Sequence, residues 1–381
     1  MKKVVVNLPG QSHPIWIGNS ILEKAGALLE PMKFGNKVCD KSGDKFESKS
    51  GKTSGNAFVI IDSRLKTRAR PLLQSLKKAG WKTTPLFVQA GESLKDIRKV
   101  YPIYGELLKK GADRESVLFA FGGGVIGDVT GFVAGTYLRG ISWVGVPTTF
   151  VSQVDSCLGG KTGINHKAGK NLIGVIHQPS AVICDVGVLK TLPLRERVSG
   201  LGEIIKIGLT LDPGLYRSLS LNWMKLLARG SEPYAEAWIE SCLRWKSHIV
   251  KQDVQDTRGI RNILNFGHTM GHALEAETQY EHFKHGEAVI LGMRAATYLS
   301  MRKGYLKLPE HRRIDQLLAA VPVPLIPKKI KNQSLVNRLQ WDKKARNKKP
   351  CFVLLKGIGR TVSDSNVETS HIFEALEWIR G

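Results

Sequence analysis

Three histidines and one glutamate have the spacing of a metal-binding site. His268 and His272 stand four residues apart, so on a helix they would share one face. His285 follows thirteen residues after His272, and Glu203 lies in an apolar helical stretch, three residues before Lys206. Imidazole nitrogens together with one carboxylate are the usual ligands of a catalytic zinc ion. The spacing leaves open which two histidines would join Glu203; His268 and His272 are the simplest choice.

A glycine-rich turn indicates a second kind of chemistry. The apolar run Val117–Phe121 leads into Gly122-Gly123-Gly124 and then into a helical pattern that contains Asp128. Glycines allow backbone N–H groups to approach a phosphate closely, and the N-terminus of the next helix favours negative charge. The spacing is not that of the G-x-G-x-x-G fingerprint. The turn is consistent with nucleotide binding, or with a strand-to-helix turn that needs glycine for its geometry alone.

Basic and amide side chains occur in two glycine-rich segments further along the chain. Gly159–Gly163 contains Lys161, and Gly169–Leu172 contains Lys170 and Asn171. The first segment lacks the G-x-x-x-x-G-K-[ST] pattern, which argues against an NTPase P-loop. Lysines and an amide beside a nucleotide turn suit recognition of a carboxylate or a phosphate. The alternative is that these lysines are simply exposed loop residues.

Two kinds of secondary structure must position these groups. In the first half, short β-branched runs alternate with helical patterns, which predicts a mainly parallel sheet covered on both faces. The expected strands are Val4–Val6, Phe58–Ile61, Pro85–Val88, Val117–Phe121, Ser142–Val146 and Ala181–Cys184, and the expected helices are Ile21–Leu29, Pro71–Ala79 and Ile97–Lys110. From Thr191 onward, apolar residues recur three and four apart, which predicts helices. We therefore expect an α/β nucleotide-binding domain at 1–190 and an all-α domain at 191–381.

A polar segment interrupts the first domain. Lys33–Asn56 is rich in lysine, glycine and serine and contains few apolar residues. Such a composition cannot bury enough apolar surface to form its own core. We predict a flexible surface insertion between the first helix and the strand Phe58–Ile61.

Composition limits the class of protein. The 381 residues, 42% of them hydrophobic, suffice for two domains. Five scattered cysteines without a CxxC pair indicate reduced thiols, and neither a signal-peptide pattern nor a membrane-length apolar run is present. We expect a cytoplasmic protein with no membrane association. The net charge of +24 raises the hypothesis of nucleic-acid binding, but no basic-aromatic pattern supports it, so we expect an acidic small substrate and no nucleic acid.

Taken together, the motifs resemble those of dehydroquinate synthases, which belong to the sugar-phosphate cyclases. The matching segments, in order, are Gly122–Asp128, Pro147–Thr149, Ser152–Asp155, Gly159–Gly163, Gly169–Leu172, Glu203–Lys206, Asn265–His272 and His285–Glu287. The resemblance implies an NAD-binding α/β domain, a helical C-terminal domain, a homodimer, and an active site between the domains.

The resemblance also implies roles for single residues. It assigns a divalent metal ion, Zn2+ or Co2+, to Glu203, His268 and His285, and turns His272 toward the substrate. The implied NAD+ contacts are Asp62, Glu92, Lys95, Gly123, Gly124, Val125, Asp128, Thr148, Thr149, Lys161, Lys170, Asn171 and Thr191. The implied substrate contacts are Asp155, Lys161, Asn171, Lys206, Lys246, Arg261, Asn265 and His272. Arg139 would reach the phosphate of the substrate in the neighbouring subunit.

The implied reaction is a step of the shikimate pathway, from 3-deoxy-D-arabino-heptulosonate 7-phosphate to 3-dehydroquinate and phosphate. It would proceed by transient oxidation with NAD+, loss of phosphate, reduction and aldol closure. Arg261, Asn265 and His272 favour this substrate over those of other sugar-phosphate cyclases. A metal-dependent polyol dehydrogenase is a further alternative with the same architecture. One departure from the family pattern is Arg64, where asparagine often stands.

Overall fold

The computed structural model describes residues 1–32, 34, 55–228, 232–340 and 350–381. These residues form two compact units, Met1–Lys190 and Thr191–Gly381. Most of the predicted insertion at 33–56, namely residues 33 and 35–54, lies outside the described part of the chain. Two described residues of the predicted insertion show that its ends differ from the predicted limits. The Phe34 ring packs against Trp81 at a centroid distance of 5.5 Å, and Asn56 is already the first residue of a strand.

A seven-stranded sheet forms the centre of the first unit. The strands of this unit are β1 (Lys2–Leu8), β2 (Gln11–Gly18), β3 (Asn56–Asp62), β4 (Lys82–Val88), β5 (Val117–Gly122), β6 (Ser142–Pro147), β7 (Lys161–His166), β8 (Gly169–Ile176) and β9 (Ala181–Asp185). The order in the sheet is β1-β2-β9-β6-β5-β3-β4, and only the β1–β2 pair is antiparallel. This mainly parallel sheet confirms the predicted fold class.

Helices cover both faces of that sheet. They are α1 (Ala25–Leu29), α2 (Arg70–Lys78), α3 (Ile97–Lys109) and α4 (Gly124–Thr136). Successive residues of a strand point to opposite faces. Thus Phe119 belongs to the core that includes Leu72 and Leu76 of α2, whereas Leu118 belongs to the core that includes Val100 and Val129 of α3 and α4. Burial on both faces explains why β5 is apolar throughout.

The sequence-based prediction omits three strands of the first unit. Pro14 lies within β2, and proline weakens a strand pattern because it lacks a backbone donor. The strands β7 and β8 form a separate antiparallel hairpin, in which β8 is mostly exposed. β7 has no apolar run, and the apolar run at the end of β8 is interrupted by Gly174, which weakens a strand pattern. These elements depend on pairing partners that the local sequence does not reveal.

The second unit is helical, as predicted, with one added β-hairpin. Its helices are α5 (Leu194–Thr210), α6 (Pro213–Leu227), α7 (Glu232–Gln252), α8 (His268–Glu277), α9 (His285–Arg302), α10 (Leu308–Ala320), α11 (Asn332–Gln340) and α12 (Thr369–Arg380). The hairpin pairs β10 (Phe352–Gly357) with β11 (Arg360–Asp364). Gly357 and Gly359 have φ of 140° and 78°, which lets the chain reverse between the strands. No helix in the described ranges has the length and apolar character needed to cross a membrane.

One buried histidine makes the stability of the first unit sensitive to acid. His13 on β2 is 1% exposed, and neither ring nitrogen has a hydrogen-bond partner among the described residues. Burial lowers the pKa of His13 to about 4, from an ordinary 6.5. The unfolded chain therefore binds a proton at His13 more readily than the folded chain does. As the pH falls below the unfolded pKa of this histidine, the free energy of unfolding decreases. The loss amounts to about 2 kcal/mol between pH 7 and pH 5.

We predict that His13→Leu removes this part of the acid sensitivity. Urea unfolding of the parent and the variant at pH 7 and pH 5 gives the change in unfolding free energy with pH for each protein, and the two changes are compared. Relative to the parent, the free energy of unfolding of the variant should rise by about 2 kcal/mol on going from pH 7 to pH 5. The same offset at both pH values would contradict the prediction.

Candidate active site

A carboxylate and two imidazoles converge in the second unit. Glu203 on α5 places Oε1 3.6 Å from Nε2 of His268 on α8 and 3.4 Å from Nε2 of His285 on α9. The possible ligand atoms of the three residues all lie within 4.8 Å of one another. Such a distance lets a single ion contact all three side chains. The donor set, two nitrogens and one oxygen, is typical of catalytic zinc.

The two carboxylate oxygens of Glu203 have different surroundings. Oε2 of Glu203 accepts a hydrogen bond from Nζ of Lys206, whereas the buried Oε1 has no hydrogen-bond partner among the described residues. A buried polar atom without a partner costs free energy, about 1–3 kcal/mol for an ordinary group and more for a charged one. A cation bound at Oε1 would remove this cost. The residues present therefore fit a metal ion.

The other nitrogen of each imidazole is already bound. Nδ1 of His268 lies 3.2 Å from the carbonyl oxygen of Phe266, and Nδ1 of His285 lies 3.1 Å from Oε2 of Glu275. Because a carbonyl or carboxylate oxygen accepts, each Nδ1 carries a hydrogen, and each Nε2, once unprotonated, directs a lone pair toward Glu203. Such outer partners are the usual support of metal-binding histidines.

His272 occupies a different position. Its ring lies 5.3 Å from that of His268 and 6.0 Å from that of His285, centroid to centroid, and its side chain is exposed. A second possible group combines His272 with Glu275 and His285, but among the described residues no group of three combines His272 with Glu203. The geometry thus favours His285 over His272 as the partner of Glu203 and His268.

Charges around the cluster set its protonation. Burial opposes ionisation of Glu203, but Lys206 and the two histidines outweigh it and hold the pKa of that carboxyl well below its usual range. Burial, followed by the charge of Lys206, lowers the pKa of His268. Burial would also lower the pKa of His285, but the neighbouring carboxylates of Glu203 and Glu275 raise it to about 10. A bound metal ion would displace that proton, because only an unprotonated nitrogen binds metal.

Glycines allow the three helices to approach closely enough. A Cβ on Gly286 would lie 1.8 Å from the carbonyl oxygen of Ser199 on α5, and a Cβ on Gly292 would lie 1.9 Å from the carbonyl oxygen of Gly267. Gly286 directly follows His285, and Gly267 directly precedes His268. These two backbone contacts therefore set the distances between α5, α8 and α9 at the cluster.

We predict that Gly286→Ala weakens both the fold and metal binding. Its Cβ meets backbone atoms that cannot rotate away, so α9 must shift from α5. The expected destabilisation is about 1–3 kcal/mol, with a loss of zinc affinity of at least tenfold because His285 moves with α9. Gly105→Ala on α3 is the control, since nothing lies within 4 Å of its added Cβ. Equal behaviour of the two variants in thermal unfolding and in chelator competition would contradict the prediction.

Glu287 fixes the start of α9, where His285 is the first residue. Its carboxylate is fully buried and accepts hydrogen bonds from Nε and Nη2 of Arg195, at 2.8 and 2.6 Å, and from the backbone N–H of Lys284 at 2.7 Å. A glutamate at this position completes a capping box. Sequence reasoning assigns no role to Arg195, Glu275 or Glu287. A glutamate near the start of a helix is a detectable signal, but its arginine partner is distant in sequence.

Three positively charged residues of the predicted substrate set are also in the second unit. Lys206, Lys246 and Arg261 are all less than 8% exposed. Lysine and arginine are seldom buried to this degree unless they are paired with an anion, as Lys206 is with Glu203. Asn265 ends the 3₁₀ helix Ile260–Asn265, which begins next to Gly259. The buried cations suit an anionic ligand.

In the first unit, the glycine turn lies against the end of the neighbouring strand. The backbone N–H of Thr148 donates to the carbonyl of Gly122 at 2.9 Å, and a Cβ on Gly123 would lie 3.0 Å from Cγ2 of Thr149. Gly123 directly precedes α4, so the helix N-terminus opens at this edge of the sheet. Backbone N–H groups at such a terminus attract phosphate. The structure brings predicted residues Gly123, Gly124, Thr148 and Thr149 together.

A polar network joins further predicted residues. Nζ of Lys95 forms an ion pair with Asp128 of α4 and donates to Oδ1 of Asn171 at 2.8 Å. Oε1 of Glu92 lies 3.5 Å from Nζ of Lys170. These residues come from the 3₁₀ helix Glu92–Lys95, from α4 and from β8, which are far apart in sequence.

Asn165 links the two parts of that network, and sequence reasoning does not identify it. Its Nδ2 donates to Oε1 of Glu92 at 2.8 Å, and its Oδ1 accepts from the backbone N–H of Asn171 at 2.9 Å. Asn171 has φ of 53°, a left-handed conformation that this hydrogen bond supports. Asn165 lies on β7, a strand that the sequence pattern does not predict, so no local signal marks it.

The remaining predicted residues of the first unit, and Thr191, are placed separately. Asp62 ends β3, Asp155 lies in the helical turn Ser152–Ser156, Lys161 begins β7, Val125 is in the first turn of α4, and Thr191 ends the 3₁₀ helix Val186–Thr191. Arg139 is exposed on the turn that follows α4. The roles of these six residues stay predictions.

Two family models match adjacent parts of the chain. The family model described as 3-dehydroquinate synthase N-terminal matches residues 85–199, and the one described as 3-dehydroquinate synthase C-terminal matches residues 200–345. The chain is 35% identical over 378 residues to the 3-dehydroquinate synthase of Desulforamulus reducens, and the match covers 99% of each chain.

Solved structures share the fold. A 2-deoxy-scyllo-inosose synthase complexed with carbaglucose-6-phosphate, NAD+ and Co2+ is similar with a TM-score of 0.83, at 23% identity, over 100% of this chain and 99% of that one. ValA, a 2-epi-5-epi-valiolone synthase from Streptomyces hygroscopicus subsp. jinggangensis 5008 with NAD+ and Zn2+ bound, is similar with a TM-score of 0.79, at 24% identity, over 99% of each chain. At these identities the likeness shows the fold.

Proposed function

Since the chain belongs to the 3-dehydroquinate synthase family, we infer that it converts 3-deoxy-D-arabino-heptulosonate 7-phosphate to 3-dehydroquinate and phosphate. This makes it a carbon–oxygen lyase of the shikimate pathway. The observation that carries the inference is the convergence of Glu203, His268 and His285 around a buried carboxylate oxygen that has no hydrogen-bond partner among the described residues. The chain is also related to these enzymes over nearly its whole length.

Two cofactors serve this reaction, NAD+ and one divalent metal ion. Similar folds have been solved with NAD+ and either Co2+ or Zn2+. When bound, NAD+ accepts and returns one hydride, and the metal ion lowers the proton affinity of the reacting hydroxyls. Glu203, His268 and His285 would hold the metal. Lys206 keeps the carboxyl group of Glu203 ionised, and an ionised carboxylate can bind a cation directly.

The first unit would hold NAD+ along the edge that contains the glycine turn. Gly123, Gly124 and Val125 would bind the phosphates through the start of α4, beside Thr148 and Thr149. A larger set would surround the rest of the dinucleotide: Asp62, Glu92, Lys95, Asp128, Lys161, Lys170, Asn171 and Thr191. The support is the network through Lys95, whose ammonium already orients both Asp128 and Asn171.

Cations and polar groups would bind the substrate. Its carboxylate and phosphate need several cations, and the proposal assigns Lys161, Lys206, Lys246, Arg261 and Arg139 to this role. Burial of Lys206, Lys246 and Arg261 strengthens their interaction with an anion. Asp155, Asn171 and Asn265 would hold hydroxyls. The exposed imidazole of His272, next to His285, would transfer a proton.

The assembly is a further part of the proposal. We propose a cytoplasmic homodimer in which Arg139 of each subunit reaches the substrate phosphate of the other. The support is a strained turn: Leu138 and Arg139 are consecutive non-glycine residues with positive φ, 50° and 67°. Such conformations cost about 1–2 kcal/mol per residue and tend to persist where function needs them.

A phosphate-release assay tests the proposed function. The full-length chain, NAD+ and Zn2+ should release phosphate from the heptulosonate phosphate without accumulating NADH. Removal of either cofactor should stop the release. A hexose 6-phosphate without a carboxylate is the control substrate for other sugar-phosphate cyclases, and net NADH formation from a polyol would instead indicate a dehydrogenase. Preference for either of these would overturn the proposal.

A further inference from the structure

The carboxylate at the end of β3 is bound by an arginine two residues later. Nε of Arg64 donates to Oδ1 of Asp62 at 3.0 Å, and Nη2 donates to Oδ2 at 2.7 Å. The backbone N–H of Arg64 also donates to Oδ1, at 3.1 Å. Asp62 is 4% exposed, whereas the Arg64 side chain is 70% exposed. The aspartate is thus occupied on both oxygens, and the guanidinium faces solvent beside it.

This pair lies next to the glycine turn. Ile61 on β3 is paired with Phe121 on β5, so Asp62 is level with Gly122, where the turn begins. In dinucleotide sites, an acidic residue on the strand beside the glycine turn binds the 2′-hydroxyl of the adenosine ribose, whereas an arginine there accommodates a 2′-phosphate. Here the acid and the arginine stand at the same position of the sheet edge.

The following residues add positive charge. Between Ser63 and Arg70 the chain carries Arg64, Lys66, Arg68 and Arg70, all exposed, and no acidic residue. The carboxylate of Asp62, neutralised by Arg64, therefore lies in a cationic segment. A ribose 2′-hydroxyl gains little from such a surface, whereas a phosphate dianion gains charge-assisted hydrogen bonds from a guanidinium.

We propose that Arg64 determines which dinucleotide this chain accepts, and that it allows NADP+ to bind as well as NAD+. Arg64 binds the 2′-phosphate and cancels the repulsion that Asp62 would otherwise exert. The inference rests on the proposed NAD+ site at Asp62. It concerns binding alone, since the hydride chemistry of the two dinucleotides is the same.

Calorimetric titration of the nucleotide-free, full-length chain with NAD+ and with NADP+ tests the proposal. The parent should bind the two dinucleotides with dissociation constants within about tenfold of each other. Arg64→Asn should weaken NADP+ by roughly tenfold to a hundredfold, the size of one lost charge-assisted contact. NAD+ affinity should stay the same or improve, because Asp62 is released.

Arg98→Asn is the matched control. Arg98 forms the same fork with Asp96, donating from Nε at 3.1 Å and from Nη2 at 2.6 Å, and its side chain is 83% exposed, against 70% for Arg64. It lies on α3 and not at the end of β3, so its loss should leave the NADP+ to NAD+ ratio unchanged. This control separates a local contact from a general loss of positive charge.

Three results would overturn the inference. The parent could reject NADP+ by more than a thousandfold, Arg64→Asn could leave the ratio unchanged, or Arg98→Asn could change it equally. If neither dinucleotide bound to the parent, the proposed NAD+ site would itself be wrong, and the inference would fall with it. NAD+ binding with rejection of NADP+ would refute the inference while the proposed function stands.

Discussion

His268→Ala is expected to lose its bound zinc and to lower turnover by more than a thousandfold. The substitution removes one of the three groups that converge on Oε1 of Glu203. Zinc sites of about four ligands bind with roughly 10–16 kcal/mol, so one ligand contributes about 3 kcal/mol, or roughly a hundredfold in affinity. Activity falls further because the remaining ligands cannot hold the ion in its catalytic position. Metal content after dialysis against a chelator and steady-state phosphate release measure the two effects.

His272→Ala is the companion variant, because it separates the two possible ligand sets. His272 is on the same helix and its ring is 5.3 Å from that of His268, but it does not join Glu203 in a ligand group. The variant should keep its zinc and still lose turnover, since the proposal places His272 on the substrate. If His272→Ala lost zinc as fully as His268→Ala, the simplest pair from spacing would be correct. Full occupancy and normal turnover in His268→Ala would refute the metal assignment.

The sequence predicts the sheet of the first unit better than its hairpins, and the reason is physical. A parallel strand buried on both faces, such as β5, consists of a continuous apolar run, which can be recognised in the sequence alone. The turn that follows β5 can also be recognised in the sequence, because the local backbone geometry of this turn requires glycine. In the hairpin β7–β8, β7 has no apolar run and that of β8 is interrupted by Gly174. The hairpin residue Asn165 acts through the side chain of Glu92, more than seventy positions away. Such contacts exist only after the chain has folded.

The metal ligands illustrate the same limit. Periodicity places His268 and His272 on one face of α8 but cannot rank His285 against them. The resemblance to a known family selects His285, and the structure supplies a physical reason. His285 begins α9, its Nδ1 is bound by Glu275, and Gly286 lets α9 approach α5 closely enough to reach Glu203. The roles of Glu275 and Gly286 depend on how three helices pack, which no local pattern records.

Arg139→Ala is expected to lower kcat/KM by roughly a hundredfold to a thousandfold while leaving the fold intact. Loss of one member of a desolvated charge pair costs about 2–5 kcal/mol, and here the partner would be the substrate phosphate. The side chain is exposed, so its truncation should not disturb the core. Arg139→Lys should recover part of the activity, because lysine keeps the charge but not the planar pair of donors. Thermal unfolding serves as the control for folding.

A subunit-mixing experiment decides whether Arg139 acts across the interface of the proposed dimer. Arg139→Ala and His268→Ala are each nearly inactive alone. In a mixed dimer, one site combines the intact metal ligands of the first variant with the intact Arg139 of the second. Random mixing in equal amounts makes half of the dimers mixed, each with one working site, and so restores about a quarter of the parent activity. If Arg139 served its own subunit, or if the chain stayed monomeric, every site would lack either the arginine or the metal, and mixing would restore nothing.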